Sequence, residues 1–130
     1  MNESERAELI AAACDVRKRA YAKYSGFQVG AALRSGDGRV FTGANVENAV
    51  YGLTICAERV AMSGAVAEGV KQFEAIAVAT AGGATPCGAC RQFMAEFCDD
   101  LLVLLVDVDR GDHVEEVTLN ELLPGRFKLP

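Results

Sequence analysis

Apolar and polar positions alternate along the chain with two different periods, and the switches between them mark out the elements. Between residues 4 and 21, Leu9, Ile10, Ala13, Val16, Ala20 and Tyr21 recur every three to four positions. That spacing predicts an amphipathic helix, with Asn2 or Ser4 placed to cap it and the charged residues left for solvent. Ser25-Gly26 breaks the pattern, and residues 27–33 and 40–46 read as strands joined through Ser35-Gly36-Asp37-Gly38, a connection rich in turn formers that predicts a hairpin. A polar, nearly uncharged run at 45–52 leads to a stretch over about 56–68 with the apolar spacing of a helix (Val60, Ala61, Val66, Ala67), which Gly69 is placed to stop.

Residues 75–79 are wholly apolar and too few for a buried helix, so they predict a strand covered on both faces. After the loop 81–85, Pro86 is placed to open a helix running from 87 to about 98, and 101–106 form a second wholly apolar strand. Strand, helix, strand in that order predicts parallel neighbours joined by a right-handed crossover. Residues 107–112, with His113 beside them, read as a turn and 114–117 as a short last strand. Thr118-x-x-Glu121 is a capping box for a brief helix ended by Pro124-Gly125. The expected fold class is α/β, a three-layer α/β/α arrangement with one mixed sheet of about five strands, in a single domain over residues 1–130.

Composition narrows the range of partners. Across 130 residues, 51% of them hydrophobic, there is apolar material for one core. A net charge of -5 does not supply the field that a polynucleotide partner requires. No apolar run approaches the roughly 18 residues of a membrane span, and the acidic start Met1-Asn2-Glu3-Ser4-Glu5-Arg6 is unlike a secretion signal. The expected location is the cytoplasm, where five cysteines read as thiols or metal ligands rather than disulfides.

The cysteines fall into two kinds. Cys14 and Cys98 sit within or near helical patterns and suit packing. The others lie in Cys56-Ala57-Glu58-Arg59 and Pro86-Cys87-Gly88-Ala89-Cys90-Arg91-Gln92. Cys87 and Cys90 share one helical turn, with Cβ atoms about 5–6 Å apart, which suits two sulfurs on one zinc ion. Helix starts favour thiolate over thiol at all three. Three ligands leave the fourth tetrahedral position for water, as catalytic zinc sites do. With one histidine in the chain, at His113, a carboxylate must carry any proton transfer, and Glu58 is adjacent. Arg59 is placed to offset the negative charge of three thiolates. Two other readings use the same residues: Cys87-x-x-Cys90 as a redox pair, and a structural zinc module drawing a fourth ligand from Cys14, Cys98 or His113.

A Cys-x-Glu followed by Pro-Cys-x-x-Cys matches the motif of zinc-dependent base deaminases in all-cysteine form. The chain resembles the small, homotetrameric, three-cysteine cytidine deaminases from about residue 21 to 127. The resemblance implies Zn²⁺ on Cys56, Cys87 and Cys90, with Glu58 moving a proton from water to ring N3 as C4 is attacked and ammonia leaves. It assigns Asn45 and Glu47 to the ribose, Phe27 to the base pocket, and the Ala57 backbone with Glu58 to the pyrimidine edge. Ala49, Tyr51 and Phe127 match residues that reach a neighbouring subunit's pocket, and Gln92 a supporting position. Read alone, Phe27 and Phe127 also suit a core, Asn45 a turn and Glu47 a solvated loop. The substrate implied is cytidine or deoxycytidine in pyrimidine salvage. A deaminase of a related aminopyrimidine nucleoside such as blasticidin S shares the zinc motifs.

Overall fold

A computed structural model describes residues 1–130. The first helix, α1, spans Glu3–Arg17 and opens on a capping box in which Asn2 and Glu5 satisfy each other's backbone N–H groups. It ends four residues short of the sequence expectation. The Tyr21 N–H bonds the Asn45 carbonyl and the Tyr21 carbonyl accepts from Glu47, so pairing with a distant segment overrides the helical periodicity.

The strands β1 (Gly30–Ser35), β2 (Val40–Ala44), β3 (Phe73–Thr80), β4 (Leu102–Asp107) and β5 (His113–Thr118) form one sheet in the order β2-β1-β3-β4-β5. Only the β3–β4 pair is parallel; the other three are antiparallel. The expected mixed five-stranded sheet is therefore present, with three boundary corrections. The first strand begins at Gly30 rather than Phe27, because the Asn45 side chain occupies the backbone of Phe27 and Val29. The second ends at Ala44 rather than Val46, which forms isolated bridges to Tyr21 and Ile55. His113 opens β5 opposite Asp107 instead of lying in the turn, and it is exposed.

Helices α2 (Ala57–Ala67) and α3 (Gly88–Phe97) cover one face of the sheet, and α1 covers the other. Under α1, Leu9 and Ala13 pack on Ala32, Ala75, Ala77, Ala79, Leu104 and Val106. On the other face, Met62 of α2 and Met94 of α3 meet Leu33, Ile76, Val103 and Leu105. The alternating residues of β3 and β4 thus feed two cores, as expected for strands apolar throughout. A short helix, α4 (Leu119–Leu122), follows the predicted capping box at Thr118 and Glu121. None of the helices is long and apolar enough to cross a membrane.

Two glycines set how closely helices approach the sheet. A Cβ at Gly30 would lie 2.1 Å from the Ala13 carbonyl of α1, and one at Gly43 would lie 2.6 Å from the Ala57 carbonyl of α2. Both are far inside contact distance, so backbone rests directly on backbone at these points. At Gly43 the contact fixes the first turns of α2, the helix that carries Glu58.

Candidate active site

Each of the two covering helices begins with a cysteine. Cys56 is the N-cap of α2 and Cys87 the N-cap of α3, while Cys90 lies one turn into α3 and is fully buried. Pro86 therefore precedes the cap instead of occupying the first helical position. The three sulfurs lie within 4.8 Å of one another, with Cys87 Sγ 3.4 Å from Cys90 Sγ. Side chains 31 positions apart (87 minus 56) meet because both helix starts lie at one end of the same sheet face.

Electrostatics prepare this corner for a cation. The Cys90 thiol hydrogen-bonds Cys56, and with help from Arg59 it draws the Cys56 thiol down to about 5; Cys90 itself is pushed up by Cys56 and by burial. Arg59 Nη2 donates to Cys56 Sγ and to the Thr54 carbonyl, each at 3.4 Å, while its Nε is the one buried side-chain polar atom without a partner. A negative group at this corner is therefore matched by positive charge not yet saturated. Three sulfurs at helix N-termini are the donor set a zinc ion takes, with one tetrahedral position left over. No other cysteine, histidine or carboxylate belongs to the group. Cys14 is on the helix covering the opposite sheet face, Cys98 ends α3 about 12 Å of helix beyond Cys90, and His113 opens β5. The donors fit an open metal centre rather than a closed structural one.

Glu58, the second residue of α2, is 4% exposed. Burial raises its pKa above the ordinary carboxylate value, and the neighbouring Cys56 charge adds to the rise. It borders a cavity of about 320 Å³ that Cys56, Ala57 and Cys87 also line. Phe27, Asn45 and Glu47 contribute to the same cavity. That size lies at the small end of ligand pockets, which run from about 300 to 1,000 Å³.

Asn45 and Glu47 are already engaged in structural bonds. Asn45 Oδ1 accepts the Val29 N–H and Nδ2 donates to the Phe27 carbonyl, both at 2.9 Å. The Glu47 carboxylate accepts the N–H groups of Tyr24 and Ser25 and the Ser25 hydroxyl. These bonds hold the Glu47 pKa below its ordinary value, with the Ser25 hydroxyl the largest cause. An amide has four hydrogen-bonding places and a carboxylate about four, so each side chain keeps capacity for a ligand while being fixed in place.

Six expected residues do not line the cavity within one chain: Cys90 and Arg59, which lie in and against the group of sulfurs, and Ala49, Tyr51, Gln92 and Phe127. Tyr51 is 80% exposed and borders a neighbouring depression shared with Ser25 and Glu47. Phe127 is 68% exposed, and its carbonyl accepts from Gln92 Nε2 at 3.1 Å. Gln92 is thus turned to the C-terminal tail. Sequence reading missed Ser25, Thr54, Thr80 and Thr85, all cavity-lining hydroxyl residues. Single hydroxyls have no spacing signature; the sequence marked only the Ser25-Gly26 break and the loop 81–85, without assigning Ser25 or Thr85 a role.

Comparisons with known proteins agree with this geometry. The family described as "Cytidine and deoxycytidylate deaminase zinc-binding region" matches residues 3–106. The cytidine deaminase of Halalkalibacterium halodurans is 52% identical over 126 residues, covering 95% of this chain and 94% of that protein. That of Sporosarcina psychrophila is 48% identical over 122 residues, covering 92% and 89%. The crystal structure of cytidine deaminase from Burkholderia pseudomallei superposes with a TM-score of 0.89 at 48% identity, covering 98% of this chain and 100% of that one. A match over most of the chain, joined to three converging thiols beside a buried glutamate, places it in the cytidine and deoxycytidylate deaminase family of zinc-dependent hydrolytic deaminases.

Proposed function

We propose that residues 1–130 form one catalytic domain that hydrolyses cytidine and 2'-deoxycytidine to uridine and 2'-deoxyuridine, releasing ammonia. The observation that carries this reading is the meeting of three thiols beside a buried glutamate, with Cys56, Cys87 and Glu58 on the cavity lining and Cys90 buried behind them. Cys56, Cys87 and Cys90 are the zinc ligands. Zinc, when bound there, supplies the positive charge that makes water nucleophilic near neutral pH.

The chain's own groups move the protons. Glu58 takes one from the attacking water and places it on ring N3, then takes a second from the hydroxyl now on C4 and gives it to the departing amine. The C4–N4 bond then breaks, ammonia leaves and a carbonyl remains at C4. Burial favours this role, because a carboxylate whose pKa is raised toward the working pH both accepts and donates. The Ala57 backbone and Glu58 read the pyrimidine edge, Phe27 packs on the base, and Asn45 and Glu47 hold the sugar hydroxyls with their remaining bonding places.

Ala49, Tyr51 and Phe127 complete a neighbouring subunit's pocket in a homotetramer; the exposure of both aromatics supports this reading. Gln92 supports the arrangement through the tail. The setting is pyrimidine salvage in the cytoplasm, with no nucleic-acid partner, in keeping with the net charge of -5.

An ultraviolet assay of cytidine, deoxycytidine, cytosine, CMP and blasticidin S with zinc-analysed protein tests the assignment. Conversion of the two nucleosides with CMP untouched supports it. Preference for blasticidin S, or no ammonia release at one zinc per chain, overturns it.

A further inference from the structure

Arg91 belongs to the Pro86–Gln92 motif, yet it neither lines the cavity nor belongs to the group of sulfurs. It lies near the start of α3, where a cation is unfavourable against the helix dipole. Helix preference therefore does not account for it. Its guanidinium makes three bonds in three directions: Nε to the Pro86 carbonyl at 2.7 Å, Nη2 to the Thr85 hydroxyl at 3.0 Å, and Nη1 to the Leu122 carbonyl of α4 at 2.8 Å. Only a planar fork of donors spans such a set; an ammonium on a flexible stem does not.

Two of the three acceptors belong to the connection between β3 and α3, in which Ala84 and Thr85 line the cavity. Pro86 anchors its end in the core, but Gly82, Ala84 and Thr85 are exposed. Polar bonds fix this exposed part. The Thr80 hydroxyl accepts the Ala84 N–H at 2.7 Å, and Asp107 Oδ1 accepts the Gly82 N–H at 2.9 Å. These hold its first half, and Arg91 holds its second half to an element from the end of the chain.

We propose that Arg91 is a positioning residue: by tying Thr85 and Pro86 to α4 it sets one wall of the cavity, so nucleoside affinity depends on a side chain that does not touch the nucleoside. The inference rests on the deaminase reading above. Wall contacts act alike on ground and transition states, so losing them raises KM and leaves kcat nearly unchanged.

The test compares Arg91→Gln, Arg91→Lys, Thr85→Val and the Gln/Val double variant as zinc-loaded proteins. Metal content, KM, kcat and the Kd of uridine by calorimetry are measured for each. Arg91→Gln is expected to keep one zinc per chain and a kcat within about threefold, while KM and the uridine Kd rise about tenfold, or about 1.4 kcal/mol. Thr85→Val should share the rise, and the double variant should be no worse than Arg91→Gln alone, as expected for two groups in one interaction. Arg91→Lys should recover only part.

Unchanged KM and Kd in Arg91→Gln overturn the proposal. So does full recovery by lysine, which would make charge rather than geometry the cause. Loss of zinc with affinity intact also overturns it, moving the role of Arg91 to Cys87. If Arg91→Gln does not fold, Thr85→Val decides, and wild-type affinity there is a refutation. A wild-type protein that neither deaminates cytidine nor binds uridine defeats the deaminase reading itself, a failure distinct from the others.

Discussion

Replacing Gly43 with alanine tests whether the close seating of α2 on the sheet sets the site. The added methyl would lie 2.6 Å from both the Ala57 carbonyl and the Ala61 nitrogen, and 2.8 Å from Val60 Cβ. Ordinary contact begins near 3.4 Å, so the first turns of α2 must retreat by about 0.8 Å (3.4 minus 2.6) or the strand must bow. Two of the three clashing atoms are backbone, so no rotamer change relieves them. Overpacking of this kind costs about 1–3 kcal/mol, offset by about 0.5–1 kcal/mol from removing a glycine inside a strand. A net loss of about 1–2 kcal/mol lowers Tm by roughly 4–10 °C in a domain of this size. The retreat also carries Cys56 and Glu58 away from Cys87 and Cys90, and a shift of about an ångström can cost about 10²-fold in rate. Denaturant unfolding, thermal unfolding and steady-state deamination of the zinc-loaded variant measure both effects. Gly64→Ala on the same helix is the control: nothing lies within 4 Å of its Cβ position, so a gain of about 0.5–1 kcal/mol is expected. Gly43→Ala with wild-type stability and undiminished kcat/KM would refute the reasoning.

Four further expectations concern the site. Glu58→Gln should keep one zinc per chain, by metal analysis, while kcat falls by about 10⁴ or more, the top of the range for positioned acid–base groups. Arg59→Ala removes the cation beside Cys56 Sγ, so thiolate forms less readily; zinc retention measured against pH should fail at a higher pH than in the wild type. Ser25→Ala removes the main cause of the depressed Glu47 pKa, and a carboxyl titration followed by NMR should show that pKa rise. A depressed carboxylate contributes stability above its unfolded pKa and loses it as pH falls through the folded value, so the stability advantage of wild type over Ser25→Ala should be full near neutral pH and shrink on acidification. Cys14→Ala and Cys98→Ala should each retain one zinc per chain, whereas Cys90→Ala should not.

Much of the scaffold was legible because its signals are local. The apolar runs of β3 and β4, the capping box at Thr118, the choice of Asn2 or Ser4 as the first cap, and the hairpin glycines each act within a few residues. The helix end at Arg17 was not legible, because Tyr21 is claimed by residues 45–47 and the periodicity of 4–21 contains no trace of that competition. Spacing could point to Cys87 and Cys90 as partners, since one helical turn brings them together. Joining Cys56 to them required the motif resemblance, as nothing local says that α2 and α3 start at the same end of one sheet face. The hydroxyls of Ser25, Thr80 and Thr85 come from a turn, a strand end and the connection after it, and only the folded chain brings Ser25 beside the other two.

The placement of the sulfurs on either side of β3 also affects how the protein resists unfolding. An ion gripped by Cys56 and Cys87 closes a ring of 31 residues (87 minus 56) that contains α2 and the central strand. By the relation used for covalent cross-links, a ring of that length removes about 4 kcal/mol of conformational freedom from the denatured chain. The metal then acts as a fastener as well as a reagent, and a chelator should loosen the middle of the sheet before it disturbs α1 on the far side.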